Sequence, residues 1–200
     1  VPFAAMVPVD ADAADIMSAL EITQEMGLGF NIGNSLDSTG YGNYDDITSF
    51  EKSYGNPAVT KEMVDTIKAK GFDSVRIPTS WFRHVTKTTD ENGNPVYTID
   101  SRWLERVKEV VDYAYQQGMY VILNLHHEEW INRSDFATAY EEMSPQLKQM
   151  WTQIATYFAD YDQHLIFEGM NEPRAANSGA LEWNGNAECY EVFNKLDNDF

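Results

Sequence analysis

Glu172 stands between Asn171 and Pro173 near the end of the segment LIFEGMNEPR, residues 165–174. The apolar start of this segment reads as a strand, and a carboxylic acid beside an amide where a strand opens into a loop is suited to aiming a proton donor. Taken alone, the same triplet also reads as a strand-ending turn. Three other groupings invite chemistry and fail on spacing. His126, His127 and Glu128 are adjacent, but consecutive strand residues face opposite sides, and Ile131 stands where a helical zinc motif needs its second histidine. No metal site is expected there. Asp90, Asn92 and Asn94 begin like a calcium loop, yet Pro95 replaces its glycine and Ser101 its bidentate glutamate. Gly27, Gly29 and Gly33 have one residue too many for a dinucleotide fingerprint and precede no clear helix.

The elements that must position Glu172 follow a repeated pattern. Strand candidates begin near residues 28 (LGFNIGN), 72 (FDSVRIP), 119 (MYVILNLHH) and 165 (LIFEGMN), spaced by roughly 45 residues, enough for a crossover helix and a loop each time. Helical periodicity fills the intervals: Met63, Val64 and Ile67; Leu104, Val107, Val111 and Ala114; Leu147, Met150, Trp151, Ile154 and Phe158. Thr60, Asp100 and Ser144 are the predicted N-caps, Pro145 a first-turn proline, and Gly71 and Gly118 left-handed stops. Another helix is expected over 12–26, where it could close one end of a barrel. Residues 90–101 read as a hairpin turned at Asn92 and Gly93.

Strand parity then sorts the faces. Val75 and Ile77 oppose Ser74 and Arg76; Val121, Leu123 and Leu125 oppose Ile122, Asn124 and His126; Leu165 and Phe167 oppose Glu168 and, in a strand that stays regular, Glu172. Arg76, His126, Glu168 and Glu172 are therefore expected to converge at the C-terminal ends of the strands. Glu168 there is a structural partner for Arg76 or a histidine, offsetting the cost of a charge in the interior. The fold class is α/β, read as the N-terminal half, about four βα units, of a (β/α)8 barrel, whose active sites lie at that C-terminal mouth. An open parallel sheet covered on both faces is the alternative, but charged groups on one strand face suit a polar mouth better. A complete barrel takes roughly 250 residues, and here 200 supply about four units. The chain also ends inside a helical stretch, 187–200, with no stop signal, so residues 1–200 are expected to be the N-terminal portion of one domain.

Composition agrees with a globular chain: 43% hydrophobic and 13% aromatic residues can build a sizeable core. Thirty-two acidic residues against 14 basic give a net charge of −18, which repels phosphate backbones and anionic lipid heads, so neither nucleic acid nor a membrane is an expected partner. The longest apolar runs, such as 120–123, fall far short of the roughly 20 residues that span a bilayer. Residues 1–9 are apolar without a basic n-region and read as a mature N-terminus or a stretch left after signal removal. Cys189 is the single cysteine, which excludes an intrachain disulfide.

LGFNIGNSLD, VRIPTSW, VILNLHHE and FEGMNEPR, in this order and spacing, resemble glycoside hydrolase family 5, the cellulase family of retaining β-glycosidases, and most closely its endoglucanase and xyloglucanase branch. The resemblance covers nearly the whole chain. It implies that Glu172 is the general acid/base, that Asn171 bonds the sugar 2-hydroxyl, that Arg76 orients the nucleophile, and that His126 is the first histidine of the active-site pair. It also implies that Asn34, His127, Trp130 and Trp183 line the cleft, the tryptophans either stacking on a sugar ring or packing in the core. No cofactor is implied. The nucleophilic glutamate, near the end of the family's seventh strand, has no counterpart here.

The chemistry behind that resemblance needs one carboxyl to protonate the leaving oxygen and a second, about 5 to 5.5 Å away, to attack the anomeric carbon. Glu168 is four residues from Glu172, roughly 13 Å at strand rise, and is not the second. The implied partners are a β-glucan and the complementary C-terminal half of the barrel, and a polymer too large to enter a cell implies an exported enzyme. Asn132, Arg133 and Ser134 form a sequon, meaningful in a eukaryotic secretory pathway. Two readings remain at this point: the N-terminal half of an endo-acting β-1,4-glucanase, inactive by itself, or a non-catalytic half barrel that binds sugars or assembles with another polypeptide.

Overall fold

Four strands, β1 (Gly29–Asn31), β2 (Ser74–Ile77), β5 (Tyr120–Asn124) and β6 (Leu165–Glu168), form one parallel sheet in the order β1-β2-β5-β6. The computed structural model describes residues 17–175 and 187–200. Each new strand adds on the same side as the last. With right-handed crossovers this places every connecting helix on one face, whereas a doubly wound sheet reverses direction at a switch point. The sheet is therefore half of a barrel wall, as the charged strand face had suggested.

The register makes the two faces explicit. Val75, Val121 and Leu165 form one row, and Ile77, Leu123 and Phe167 the next, both turned toward the helices. Against them pack Val64 of α2 (Lys61–Ala69), Val107, Val110, Val111 and Ala114 of α3 (Ser101–Tyr115), and Leu147, Met150 and Ile154 of α4 (Tyr140–Tyr157). Full burial of each such side chain stabilises by about 1.5–3 kcal/mol, which is what commits this face to the helices. On the opposite face Asn31, Arg76, Ile122 and Ile166 form a row, with Asn124 beside Glu168 one step further toward the C-terminal ends.

The helix signals hold with one exception. Thr60 accepts a hydrogen bond from Met63 N–H and Asp100 from Arg102 N–H, while Gly71 (φ 90°) and Gly118 (φ 69°) end their helices in the left-handed region. Ser144 is not an N-cap. Helix α4 begins at Tyr140 after Ala139, a full turn earlier, so Pro145 lies inside the helix and not in its first turn. The acidic Glu141 and Glu142 in the first turn favour this earlier start by complementing the helix dipole. A seven-residue helix, α1 (Ala19–Glu25), precedes β1, and Tyr120 Oη donates to Glu25 at 2.8 Å, which places it at the N-terminal end of the sheet. The helix expected over 12–26 is thus not continuous: Ser18 caps it, accepting from Glu21 N–H, so Met17 and Ser18 lie before the helix, and residues 12–16 lie outside the described residues. Helix α5 (Ala187–Asp199) packs on α4. Among the described residues no helix is long and apolar enough to cross a membrane.

The hairpin starts earlier than its turn residues suggested. Strand β3 (Val85–Thr89) pairs antiparallel with β4 (Pro95–Ile99) around a turn in which Asp90 accepts from Asn92 N–H, Asn94 N–H and the Asn94 amide. The calcium-like spacing is thus a turn motif. The outer edge of β4 is covered by α4: Gln149 and Gln153 accept from Tyr97 and Ile99 N–H and donate to the Pro95 and Tyr97 carbonyls. Two side-chain amides one helical turn apart so replace a third strand and leave less edge open to aggregation.

Candidate active site

Arg76 is the centre of the polar face. Its guanidinium donates to both oxygens of Glu168, at 2.7 and 2.5 Å, to Asn171 Oδ1 at 2.8 Å and to Asn31 Oδ1 at 3.2 Å, linking β1, β2 and β6. A two-point arginine–carboxylate contact fixes both groups in plane, more than a single ammonium could. Burial acts to raise the Glu168 carboxyl, but the hydrogen bonds from Arg76 and Asn124 outweigh it and hold the carboxyl below its ordinary range. The Arg76 pKa is raised, first by the Glu168 hydrogen bond, and the charges of Asp37 and Glu172 add to this. The expectation that Glu168 is the partner of Arg76 is met.

Beyond Glu168 the regular strand stops, which corrects the expected position of Glu172. Asn171 N–H bonds the Leu125 carbonyl at 2.8 Å, and its side chain, an odd number of residues after Glu168, reaches the same arginine. A regular strand cannot bring both to one face. Gly169 and Met170 absorb the change of parity, with the Gly169 carbonyl taken by Trp151 Nε1 of α4 at 3.0 Å. Glu172 follows in the left-handed region (φ 44°), where a glutamate is strained, and its side chain is exposed. It stands next to the arginine cluster at the open mouth rather than on the lattice of the sheet.

His126 and His127 also depart from expectation. Strand β5 ends at Asn124, so alternation no longer applies, and the two rings meet at 4.5 Å between centroids. Both Nε2 atoms face Asp37 Oδ2, at 3.9 and 4.0 Å. Asp37 is buried and its other oxygen accepts from Ser35 N–H at 2.8 Å. Among the described residues these three form the group whose ligand atoms have metal-like spacing. The premise that the two imidazoles point apart was therefore wrong. Burial pushes His126 down to about 4, the charge of His127 acts in the same sense, and the imidazole is neutral at pH 7.

The remaining expected residues divide. Trp130 is half-buried and its indole N–H donates to Glu128 at 2.6 Å. Asn34 is exposed at φ 56°, its carbonyl accepts from Asn56, and no hydrogen bond joins its side chain to the Arg76 network. Trp183 lies outside the described residues. Sequence reasoning gave no site role to Asp37, Asn124 or Glu128. Asn124 had a usable signal, since it shares a strand face with His126; Glu128 was weighed only as a metal ligand beside the two histidines, and Asp37 only as the last residue of LGFNIGNSLD.

Glu128 is buried beneath the site and takes Trp81 N–H on one oxygen and the Trp130 indole on the other. Burial pushes its carboxyl up to about 8, against the pull of these donors. The folded protein thus holds this proton more tightly than the unfolded chain, where the carboxyl titrates near 4.5. The stability it contributes is full below about pH 4.5 and is lost as the pH rises to about 8. Glu128→Gln does not titrate, so the fall in Tm between about pH 5 and about pH 8 should be smaller in the variant than in the parent. Equal slopes in scanning calorimetry would refute this.

Comparison with known proteins places the chain in a family. The model of the cellulase family, glycosyl hydrolase family 5, matches residues 36–198. The chain belongs to this family. Endoglucanase A of Ruminococcus albus is 46% identical over 186 residues, covering 90% of this chain and 47% of that protein, and endoglucanase A of Clostridium longisporum is 45% identical over 194 residues, covering 94% and 35%. Among solved structures, the GH5-4 broad specificity endoglucanase from Ruminococcus flavefaciens superposes with a TM-score of 0.81 at 52% identity, covering 94% of this chain and 51% of that one. A xyloglucan-specific endo-β-1,4-glucanase from a metagenomic library, in complex with cellotriose, gives 0.79 at 40% identity, covering 90% and 51%. The chain spans about half the length of the solved family 5 chains, and the four strands are half of their barrel.

Proposed function

We propose that the complete domain hydrolyses internal β-1,4-glucan linkages by double displacement with retention, with Glu172 as acid/base. The carrying observation is the Asn171 side chain clamped by Arg76 at 2.8 Å, which places the next residue, Glu172, at the mouth with its charge felt by the arginine. Asn171 receives the sugar 2-hydroxyl, whose contact strengthens in the oxocarbenium-like transition state. Glu172 first protonates the leaving oxygen and then, ionised, activates water. The second carboxylate comes from the complementary half of the barrel, about 5 to 5.5 Å from Glu172. His127, Trp130 and Asn34 are assigned to the walls of the cleft, and a polymeric substrate makes the protein an exported one.

Supporting the complementary half are the open margins of the sheet. Leu28 and Phe30 are 66% and 42% exposed beside the unpaired edge of β1, next to a cavity of about 390 Å³ lined by Phe30, Ile32, Pro57, Val59, Met63 and Ile67. An apolar edge of this kind calls for a covering element. The isolated 200 residues are therefore expected to be inactive and to associate.

The test is hydrolysis of cellulose, mixed-linkage glucan, xyloglucan and mannan by the complete protein, with the anomer of the first product read by NMR. Cleavage of the glucans with retention is the expected result. Inversion, or hydrolysis of none of the four, would overturn the reading.

A further inference from the structure

Asn124 is 0% exposed, and every polar atom of its amide is committed. Its Oδ1 accepts from Thr79 N–H at 3.1 Å, and a backbone N–H can only donate, so the amide has one permitted orientation. Its two hydrogens then point to Glu168 Oε1 at 3.0 Å and His126 Nδ1 at 3.1 Å. Glu168, ionised beside Arg76, only accepts. The remaining hydrogen is donated to His126 Nδ1, which must therefore offer a lone pair. A neutral imidazole with a bare Nδ1 carries its proton on Nε2.

We infer that Asn124 is a positioning residue that fixes His126 as the Nε2–H tautomer, so that His126 and Asp37 present a donor and an acceptor to a single sugar hydroxyl. The separation of 3.9 Å between His126 Nε2 and Asp37 Oδ2 is too long for a direct hydrogen bond. One hydroxyl oxygen spans it, accepting from Nε2–H and donating to the carboxylate. Asp37 is held for this by Ser35 N–H, and its carbonyl accepts from Ser80 Oγ at 2.9 Å, which in turn accepts from His127 N–H at 3.1 Å. The same proton disqualifies His126 Nε2 as a metal ligand, so the spacing of Asp37, His126 and His127 serves a hydroxyl and not an ion. The sugar in this inference rests on the proposed glucanase function; the tautomer does not.

Nitrogen-15 NMR of the full-length protein with labelled histidine tests the two separately, with His126 assigned by the signals lost in His126→Gln. A pyridine-type Nδ1 and a pyrrole-type Nε2 at neutral pH are expected. The reverse tautomer, or an imidazolium, would overturn the inference whatever the activity. Asn124→Asp keeps the shape but offers Nδ1 an acceptor, so the proton should move to Nδ1, and kcat/KM on a soluble β-glucan should fall about tenfold, the worth of one hydrogen bond. An unchanged tautomer in a folded Asn124→Asp protein would remove the role of Asn124; if that variant does not fold, the parent spectrum decides. The expected tautomer in a protein that hydrolyses no glucan leaves the lock in place and sinks the sugar assignment.

Discussion

Glu172→Gln in the complete protein is expected to lower kcat on β-glucan by about 10²–10⁴, the range for loss of a positioned general acid/base. The substitution is nearly free of structural side effects. Glu172 is exposed, and glutamine suffers the same left-handed backbone strain at φ 44° as glutamate, so that cost cancels between parent and variant. Tm should shift by less than the scatter of surface substitutions, about 0.5 kcal/mol in equivalent stability. The diagnostic is the leaving group. An aryl glucoside whose phenol departs without protonation needs no acid in the first step, so its bond cleavage should survive in the variant while turnover stalls at the glycosyl intermediate, giving a burst. Activity on polymer within a few-fold of the parent would mean that another residue donates the proton.

The second large effect concerns stability. Glu51 and Arg106 are 0% and 5% exposed and joined at 2.6 and 3.1 Å, with Glu51 also accepting from Val59 N–H and Arg106 donating to the Val59 carbonyl. This pair ties the loop between β1 and α2 to α3. Glu51→Ala leaves the buried guanidinium with only the half-exposed Glu109 carboxylate, at 2.5 Å, and the Val59 carbonyl, orphans the buried Val59 N–H, and is expected to cost about 3 kcal/mol, the low end for breaking a buried pair, in urea unfolding of the complete protein. Replacing both partners by apolar residues, as in Glu51→Leu with Arg106→Met, should cost clearly less than the sum of the single changes, because no orphaned charge remains. Additive losses would show that the two side chains act independently. The loop also carries Asp37, so the single variant should raise KM for β-glucan while its residual folded fraction retains Arg76 and Glu168.

Those two sites differ in how visible they were beforehand. The four strands, the helices between them and the pairing of Arg76 with Glu168 follow from periodicity and parity, which are local and survive tertiary packing. Parity fails where a strand ends. It placed Glu172 on the face of Glu168 and sent His127 away from His126, because the alternation was carried past Glu168 and Asn124, the last residues that obey it. Ser144 looked like a cap because serine before proline is a common helix start, but the chain had already turned helical at Tyr140. The Glu51–Arg106 pair and the Trp81–Glu128 contact, 47 residues apart, leave no periodic mark on a sequence. Contacts that join a long loop to a distant helix or loop are set by the fold that brings them together.

The Trp151 indole on α4 that holds the Gly169 carbonyl has a consequence for anyone reshaping this protein. Gly169, whose carbonyl it holds, opens the irregular turn that leads to Glu172, yet Trp151 sits on the helices behind the sheet, away from the polar face that carries Arg76. Libraries confined to the cleft would leave that control untouched. Substitutions at Trp151 and at Phe200, which packs on it at 4.7 Å, offer a way to re-aim Glu172 from behind, much as a gunsight is trimmed by screws on its mount and not by the lens.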